Sequence, residues 1–410
     1  MRAGLLGQNL SHSHSPRLHA LLGGYDYELF QVEPGDLGDF LASDSFDGLN
    51  VTIPYKQAVI PYCRELSPAA RAIGSVNTIL RRPGGGLIGD NTDAQGFAHM
   101  LDVLGLDPFG QKALILGSGG ASHTIEYVLR DRGANTVVVS RRGPENYENL
   151  WRHRDAALLV NCTPVGMYPD TGAAPVDLAL LPGLVAVLDL IYNPARTRLL
   201  LEAEDRGIPC LGGYPMLVEQ ARAAAERFTG RAIPPEQRDR ALHALRRETM
   251  NIVLIGMPGC GKSTVGKLLA RELGRSFADA DRCIEERIGM SIPAFFAGGS
   301  EETFRELEEV VLEDLGKKSG LVIATGGGCV TRPGNRARLR QNGVVVFLRR
   351  EVGLLPTRGR PLSRDIPPEA LYRQRLPLYT QFADTTVENS GTLGDCARAI
   401  EEAFHEILDH

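Results

Sequence analysis

The chain has 410 residues, of which 43% are hydrophobic and 23% charged, and this balance predicts two or three globular domains. Its formal net charge of −5 gives no reason to expect nucleic acid or an anionic membrane surface as a partner, and no apolar run approaches the roughly 20 residues of a membrane span. The seven cysteines are odd in number and never spaced as CxxC, which disfavours a disulfide framework or a structural zinc site and favours a cytoplasmic protein. Composition leaves the oligomeric state open.

Short apolar runs alternate with helical patterns along the whole chain, which favours α/β domains with largely parallel sheets. Buried strands are predicted at 113–116, 136–139, 156–160, 185–190, 251–255, 321–324 and 344–348. Gly and Pro near 104–110 suggest one boundary, and Pro234-Pro235 with the Arg-rich helical segment that follows suggests another. We therefore expect domains at 1–249 and 250–410, the first divided into one part at 1–104 and 213–247 and another at 105–212.

Polar motifs follow the early predicted strands. The run SHSHSP at 11–16 could ligate a metal through His12 and His14, but no acidic or cysteine partner stands near them. Lys56 ends the run NVTIPYK and would ordinarily be a solvated surface charge. If Asp93 pairs with it, the pair becomes a candidate for proton transfer.

A glycine loop, GSGGAS at 117–122, follows a predicted strand and opens a helix, as in dinucleotide-binding folds, although Ser122 replaces the third glycine. The next strand ends in Ser140-Arg141-Arg142 and carries no acid for the ribose 2′-hydroxyl of NAD. Two arginines suit a 2′-phosphate, so the pattern favours NADP(H), the alternatives being a structural turn and two surface arginines.

Together with GLLG at 4–7, IGSVNT at 73–78, GDNTD at 89–93 and GYPML at 213–217, these motifs resemble shikimate dehydrogenase. The resemblance implies that Lys56 and Asp93 transfer a proton. It also implies a set of side chains that bind the substrate, namely Ser13, Ser15, Thr52, Asn77, Asp93, Tyr192 and Gln220. The implied NADP-binding residues are Gly117, Gly119, Gly120, Ala121, Ser140, Arg141, Arg142 and Gly213. Two departures are a short connection between Ser140 and Asn161, which predicts a trimmed crossover, and Ser75 where alanine is commoner.

A second glycine loop, GMPGCGKS at 256–263, matches GxxxxGK[ST] in full, after an apolar strand and before a helical segment. Such a loop turns backbone N–H groups toward phosphate oxygens, its lysine spans the β- and γ-phosphates, and its Ser hydroxyl reaches Mg²⁺. The loop therefore predicts ATP binding with Mg²⁺.

Further motifs follow this loop in order. Asp279 and Asp281 end a predicted strand, Arg305 lies in an acidic helix, and three glycines follow another strand at 326–328. Alone, the acids could be a solvated turn and Arg305 a surface salt bridge. The RGRPL and RLPLY runs, with Arg360 and Arg375, have loop-like sequences that suit a mobile cover.

The ordered series resembles shikimate kinase from Asn251 onward, and this resemblance implies roles for its residues. Asp281 would take the acceptor hydroxyl, Arg305 and Arg375 would clamp the shikimate carboxylate, and Gly327 and Gly328 would bind the ring. Asp279 and Ser263 would hold Mg²⁺. The implied catalytic groups include Lys262 and Arg360 from the lid, and the implied ATP-binding residues are Gly259, Cys260, Gly261, Lys262, Ser263, Thr264 and Arg360.

Both resemblances imply the same metabolite, shikimate. The expected fold is α/β, with a shikimate-dehydrogenase-like substrate domain, a Rossmann NADP domain and a P-loop domain like the nucleoside monophosphate kinases with a parallel sheet. The expected function is reduction of 3-dehydroshikimate to shikimate, then phosphorylation to shikimate 3-phosphate, two steps of aromatic amino-acid biosynthesis. Alternatives are a quinate/shikimate dehydrogenase fused to a small-molecule kinase, and a metabolite-binding regulator without turnover.

Overall fold

The computed structural model describes residues 1–10, 13–355 and 367–409. Contacts divide the chain into two compact units, Met1–Leu245 and Arg246–His410. Within the described ranges, no helix is both long and apolar enough to cross a membrane. The sheets and the helices around them confirm the predicted α/β class.

The first unit begins with a mixed six-stranded sheet of order β2-β1-β3-β5-β6-β4. Its strands are β1 (Arg2–Gly7), β2 (Asp26–Gln31), β3 (Gly48–Val51), β4 (Cys63–Leu66), β5 (Thr78–Arg81) and β6 (Leu87–Asp90). Its helices are α1 (Ser15–Leu22), α2 (Leu37–Ala42), α3 (Tyr55–Ala58), α4 (Pro68–Ile73) and α5 (Asp93–Val103).

The direction of β5 decides where the polar motifs meet. β5 runs antiparallel to both β3 and β6, with Asn50 opposite Thr78 and Thr78 opposite Asp90. The start of β5 therefore lies at the same edge of the sheet as the ends of β3 and β6. Residues just after β3, just before β5 and just after β6 come together at this edge.

A second, all-parallel sheet of order β11-β10-β9-β7-β8 follows. Its strands are β7 (Lys112–Leu116), β8 (Asn135–Val139), β9 (Leu158–Asn161), β10 (Ala186–Asp189) and β11 (Cys210–Leu211), with helices α6 (Gly120–Asp131) and α7 (Arg198–Asp205). The connection from β8 to β9 contains a single 3₁₀ turn at Leu150–His153 and no α-helix, which agrees with the expected trimmed crossover.

Two helices end the first unit, α8 (Tyr214–Thr229) and α9 (Pro235–Thr249), and the second of these continues past the division at Leu245. Helix α8 packs its apolar face on α1 through buried Val218 and Ala221 against Leu18 and Leu22. This packing returns the chain from the parallel sheet to the first sheet.

The second unit has one parallel sheet of order β13-β14-β12-β15-β16. Its strands are β12 (Asn251–Ile255), β13 (Ser276–Asp279), β14 (Leu321–Ala324), β15 (Gly343–Arg349) and β16 (Thr385–Glu388). Its helices are α10 (Lys262–Glu272), α11 (Ala280–Ile288), α12 (Ile292–Phe295), α13 (Glu301–Gly316), α14 (Gly334–Arg340), α15 (Pro368–Phe382) and α16 (Leu393–Asp409). The central strands are buried along their length, as parallel strands covered on both faces are.

The expectation that Arg375 lies in a loop is wrong, because the residue lies inside α15. The loop was predicted because Pro377 removes a backbone hydrogen bond within any helix that contains it. The helix persists because Leu371, Arg375, Tyr379 and Phe382 recur at helical spacing and are all buried. The predicted lid arginine, Arg360, lies outside the described residues.

Candidate active sites

The first candidate site is a cavity of about 290 Å³ in the first unit, at the sheet edge where the polar motifs meet. All the substrate-binding side chains predicted from the sequence line it, as do two residues predicted to bind the cofactor. They are Ser13, Ser15, Thr52, Asn77, Asp93, Tyr192, Gln220, Ala121 and Gly213, and the predicted proton-transfer residue Lys56 lines the cavity as well. The cavity therefore combines groups from the first sheet, from α8 and from the start of α6.

Lys56 and Asp93 form an ion pair in this cavity, with 2.6 Å between Nζ and Oδ2. Lys56 lies on α3 shortly after β3, and Asp93 is the first residue of α5 shortly after β6. Both side chains remain partly exposed, at 31% and 17%. A cation fixed by a carboxylate and open to a small molecule is suited to general acid–base chemistry.

Asn77 is held by its side-chain oxygen. Its Oδ1 accepts hydrogen bonds from the backbone N of Thr92 at 2.7 Å and from the hydroxyl of Thr78 at 3.0 Å. Because the oxygen is occupied, the amide nitrogen is the group that Asn77 offers to a ligand in the cavity.

A buried aromatic cluster behind the cavity was not predicted from the sequence. Tyr27 donates a hydrogen bond from its hydroxyl to Asn50 Oδ1 at 2.8 Å, and its ring stacks on His19 at 4.0 Å between centroids. Burial lowers the pKa of His19 to about 3, so this imidazole is neutral near pH 7. Asn50, which lines the cavity, belongs to the NVTIPYK motif, and this membership was the available sequence signal.

The predicted cofactor loop joins β7 to α6. Gly117 has φ of 102°, which favours glycine, and Gly119 caps the first turn of α6. A Cβ placed on Gly119 or Gly120 would meet no protein atom within 4 Å, so their open sides leave room for close approach of a ligand. The helix N-terminus also favours an anion, and this arrangement fits a dinucleotide phosphate.

Arg141 and Arg142 are exposed after β8 and have no ion-pair partner within the ranges that the structure describes. Ser140, which precedes them, donates its backbone N–H to the carbonyl of Glu145 at 3.0 Å, in a turn. Two unpaired guanidinium groups beside this turn fit a phosphate on the ribose.

A fully buried carboxylate supports the loop that faces Gly117. Asp189 accepts hydrogen bonds from Asn161 Nδ2 at 3.0 Å and from the hydroxyl of Thr197 at 2.7 Å, and burial raises its pKa to about 6. Asn161 in turn accepts from the backbone N and the hydroxyl of Thr163, which contacts Gly117. This chain of bonds fixes the backbone beside the predicted cofactor loop.

The second candidate site is a cavity of about 580 Å³ in the second unit, around the loop between β12 and α10. Gly256, Gly259 and Gly261 have φ values of 145°, 78° and 105°, conformations that side-chain-bearing residues rarely adopt. The predicted ATP-binding residues Gly259, Gly261, Lys262, Ser263 and Thr264 line the cavity, whereas Cys260 is buried behind it. The loop thus presents its backbone and polar side chains to a ligand.

Lys262 is buried, and its ammonium donates to the carbonyls of Gly256 at 2.9 Å and Met257 at 3.0 Å. Ser263 donates its hydroxyl to Asp279 Oδ2 at 2.6 Å. A hydroxyl and a carboxylate side by side are oxygen donors of the kind that Mg²⁺ prefers, so this pair fits the predicted metal role. No group of three or more His, Cys, Asp or Glu side chains that could hold a metal occurs in the described part of the chain.

Asp281 lines the cavity from the first turn of α11, two residues after Asp279, which caps that helix. Burial raises the pKa of Asp281, while the nearby ammonium of Lys262 opposes that shift. A carboxylate whose proton affinity is raised suits a group that accepts or orients a hydroxyl proton.

Arg305 and Arg375 both line this cavity. Arg305 bonds to the fully buried carboxylate of Glu308 at 2.7 Å, and Arg375 donates to the carbonyl of Gly327 at 2.9 Å. A Cβ on Gly328 would collide with the Arg305 guanidinium, so the glycine lets this guanidinium keep its position.

Three supporting residues in this unit were not assigned roles from the sequence. Glu308 pairs with Arg305 one helical turn away, Tyr379 donates its hydroxyl to the carbonyl of Gly327 at 2.5 Å, and Asn389 donates to the carbonyl of Cys260 at 2.7 Å. Tyr379 belongs to the RLPLY motif, and Glu308 has the spacing of a helical ion pair. The sequence around Asn389 carries no comparable signal.

Comparison with known proteins gives the two regions separate matches. Residues 5–79 match the family described as shikimate dehydrogenase substrate binding domain, and residues 258–409 match shikimate kinase. A shikimate dehydrogenase (NADP(+)) of Symbiobacterium thermophilum is 36% identical over 278 residues, which cover 59% of this chain and 94% of that relative.

Solved structures agree for the N-terminal part. Shikimate 5-dehydrogenase of Thermus thermophilus in complex with NADP(H) and shikimate has 35% identity and a TM-score of 0.54, covering 60% of this chain and 99% of that one. Quinate dehydrogenase from Corynebacterium glutamicum in complex with NAD has 27% identity and a TM-score of 0.55, covering 60% of this chain and 98% of that one.

Proposed function

The chain belongs to the shikimate dehydrogenase family and carries a shikimate kinase domain in its C-terminal part, and from this premise we propose that it catalyses two consecutive reactions. It reduces 3-dehydroshikimate to shikimate with NADPH, and it transfers the γ-phosphate of ATP to the 3-hydroxyl of shikimate with Mg²⁺. The observation that supports this pairing best is that each unit holds its own cavity with the groups that its reaction needs.

In the first reaction, Lys56 donates a proton to the oxygen of the reacting ketone, and Asp93 orients the Lys56 ammonium through their ion pair. NADPH, when bound, supplies the hydride that reaches the ketone carbon. Ser13 and Ser15 hold the substrate carboxylate. The ring hydroxyls are bound by Thr52, Asn77, Tyr192 and Gln220, which line the same cavity.

In the second reaction, Asp281 orients the 3-hydroxyl of shikimate and accepts its proton as the oxygen bonds to the γ-phosphorus. Arg305 and Arg375 hold the carboxylate, so that the hydroxyl faces the loop. Lys262 exchanges its two carbonyl bonds for phosphate oxygens and offsets the charge that develops on them. Ser263 and Asp279 would hold Mg²⁺, which would neutralise phosphate charge.

A coupled assay tests the proposal. The purified protein is incubated with 3-dehydroshikimate, NADPH, ATP and Mg²⁺, and we expect NADPH consumption followed by shikimate 3-phosphate. Absence of ADP formation with added shikimate would refute the kinase assignment, and absence of NADPH oxidation would refute the dehydrogenase assignment independently.

Quinate is the second candidate substrate for the dehydrogenase, because a quinate dehydrogenase is among the similar structures. The exposed Arg141 and Arg142 instead favour a cofactor with a 2′-phosphate. Comparing both acids with NADP⁺ and NAD⁺ decides between the two. Higher kcat/KM for quinate with NAD⁺ would overturn the shikimate assignment.

A further inference from the structure

Among the described residues, four cationic side chains line the cavity of the second unit: Lys262, Arg305, Arg350 and Arg375. Three of them have partners, which are backbone carbonyls for Lys262 and Arg375 and carboxylates for Arg305. Arg350 differs, because its guanidinium makes no hydrogen bond or ion pair within the described ranges, and its Nε, like that of Arg305, is buried without a partner. A buried donor without an acceptor is costly unless a ligand satisfies it.

The place of Arg350 in the sheet indicates which ligand this is. Arg350 directly follows β15, and β15 lies beside β12 on the side away from β14 and β13. Asp281 follows β13, and the glycines that contact Arg305 and Arg375 follow β14. Arg350 and the groups assigned to shikimate therefore lie on opposite sides of the phosphate loop.

Arg350 is also close to that loop. A Cβ on Gly256, the first loop residue, would meet the carbonyl oxygen of Leu348 at 2.5 Å, so the end of β15 and the loop are in contact. Arg350 stands two residues after Leu348 and lines the cavity together with Gly259 and Gly261. Its guanidinium is thus next to the backbone that faces the phosphates.

The preceding residue provides a natural contrast. Arg349 forms an ion pair with Glu388, its register partner on β16, and is half exposed. Glu388 therefore already neutralises the charge of Arg349, and Arg349 does not line the cavity. Of two adjacent arginines, only Arg350 has its charge available at the site.

We propose that Arg350 is a nucleotide-binding residue whose guanidinium contacts the phosphate oxygens of ATP. The proposal rests on the kinase function proposed above, whose two anionic ligands are the triphosphate and the shikimate carboxylate. Arg305 and Arg375 bind the carboxylate in that function, so the triphosphate is the ligand that remains for Arg350 to bind. A guanidinium fork matches phosphate geometry, and its position at a strand end fixes it before the ligand arrives.

The test compares Arg350→Met, Arg350→Lys and Arg349→Met in the full chain. We expect Arg350→Met to raise the KM for ATP by roughly tenfold to a hundredfold, the scale of one charge-assisted hydrogen bond, while kcat and the KM for shikimate change less than about threefold. Arg350→Lys should restore part of the loss, and Arg349→Met should behave as wild type. An unchanged KM for ATP in Arg350→Met, or a rise in the KM for shikimate in its place, overturns the proposal.

Calorimetric titration with ADP and with adenosine separates this proposal from the kinase assignment itself. Arg350→Met should weaken ADP binding and leave adenosine binding unchanged, whereas an equal loss for both would place the contact on the base and overturn the phosphate assignment. If the wild-type protein binds ADP but does not phosphorylate shikimate, the proposed substrate fails, and the loss of ADP affinity in Arg350→Met still supports the residue's role.

Discussion

The two cavities differ in how they handle charge. The cavity of the first unit holds one ion pair, Lys56 with Asp93, among neutral hydroxyl and amide groups. The cavity of the second unit holds four cationic side chains together with three acidic ones, Asp281, Glu285 and the buried Glu308. The contrast matches the ligands proposed for each cavity, a monoanionic ring acid in the first and the same acid together with a polyanionic nucleotide in the second. The number of charged side chains in a site therefore indicates the class of ligand even when no single residue identifies it.

The largest expected effect is the fall in kcat when the proton-transfer group of either reaction is removed. Lys56→Met should lower the kcat of the dehydrogenase reaction about 10²–10⁴-fold, and Asp281→Asn should lower kinase kcat on the same scale, because each removes the group that moves or orients the proton. Steady-state assays of both reactions on each variant check this.

Each variant serves as the control for the other. Lys56→Met should leave kinase turnover unchanged, and Asp281→Asn should leave NADPH oxidation unchanged. Dehydrogenase turnover within tenfold of wild type in Lys56→Met would remove Lys56 from the proposed mechanism.

Asp189 extends the comparison to a carboxyl group that is fully buried but lines neither of the two cavities. Folding raises the pKa of its carboxyl from 3.8 to about 6, so the stability that its protonated form contributes is present below pH 3.8 and is lost as the pH rises to about 6. The loss amounts to about 3 kcal/mol. The amide in Asp189→Asn cannot ionise, so this variant should not show this loss of stability with rising pH.

The measurement uses Trp151, the single tryptophan of the chain, which lies in the 3₁₀ turn between β8 and β9. Urea unfolding followed by its fluorescence between pH 4 and 7 reports on that part of the first unit. If wild type and Asp189→Asn show parallel pH profiles, the carboxyl does not titrate in this range. We expect the dehydrogenase kcat of Asp189→Asn to stay within about tenfold of wild type, unlike that of Lys56→Met, since positioning groups contribute less than proton donors.

The smallest expected effects distinguish a glycine whose open side faces a ligand from a glycine that contacts another side chain. Gly120→Ala adds a methyl group to open space in front of α6, so the folded state accommodates it and the KM for NADPH should rise about tenfold. Gly328→Ala meets the Arg305 guanidinium instead, so the KM for shikimate should rise and thermal stability should fall. Equal thermal stability loss in both variants would contradict this distinction.

The sequence predicted most of the first cavity because the motifs follow strands, and strand ends converge. Its strand predictions also matched β12 and β14 at both ends. Arg375 was misplaced because Pro377 is a local signal against helix, whereas the buried face of α15 depends on packing that only the folded unit provides. The His19–Tyr27–Asn50 cluster escaped detection for the same reason, since its members come from three separate elements. The roles assigned to the site residues remain predictions, and that of Arg360 lies outside the described ranges.

The hydrogen bond from Asn389 to the carbonyl of Cys260 spans 129 residues of sequence. A nascent chain leaves the ribosome from its N-terminus, so the phosphate loop emerges long before the amide that braces it. The strand that precedes Asn389, β16, is also the last strand of its sheet in chain order and lies at the edge of that sheet. The first unit has by then been synthesised in full, so dehydrogenase activity should appear during translation before kinase activity does.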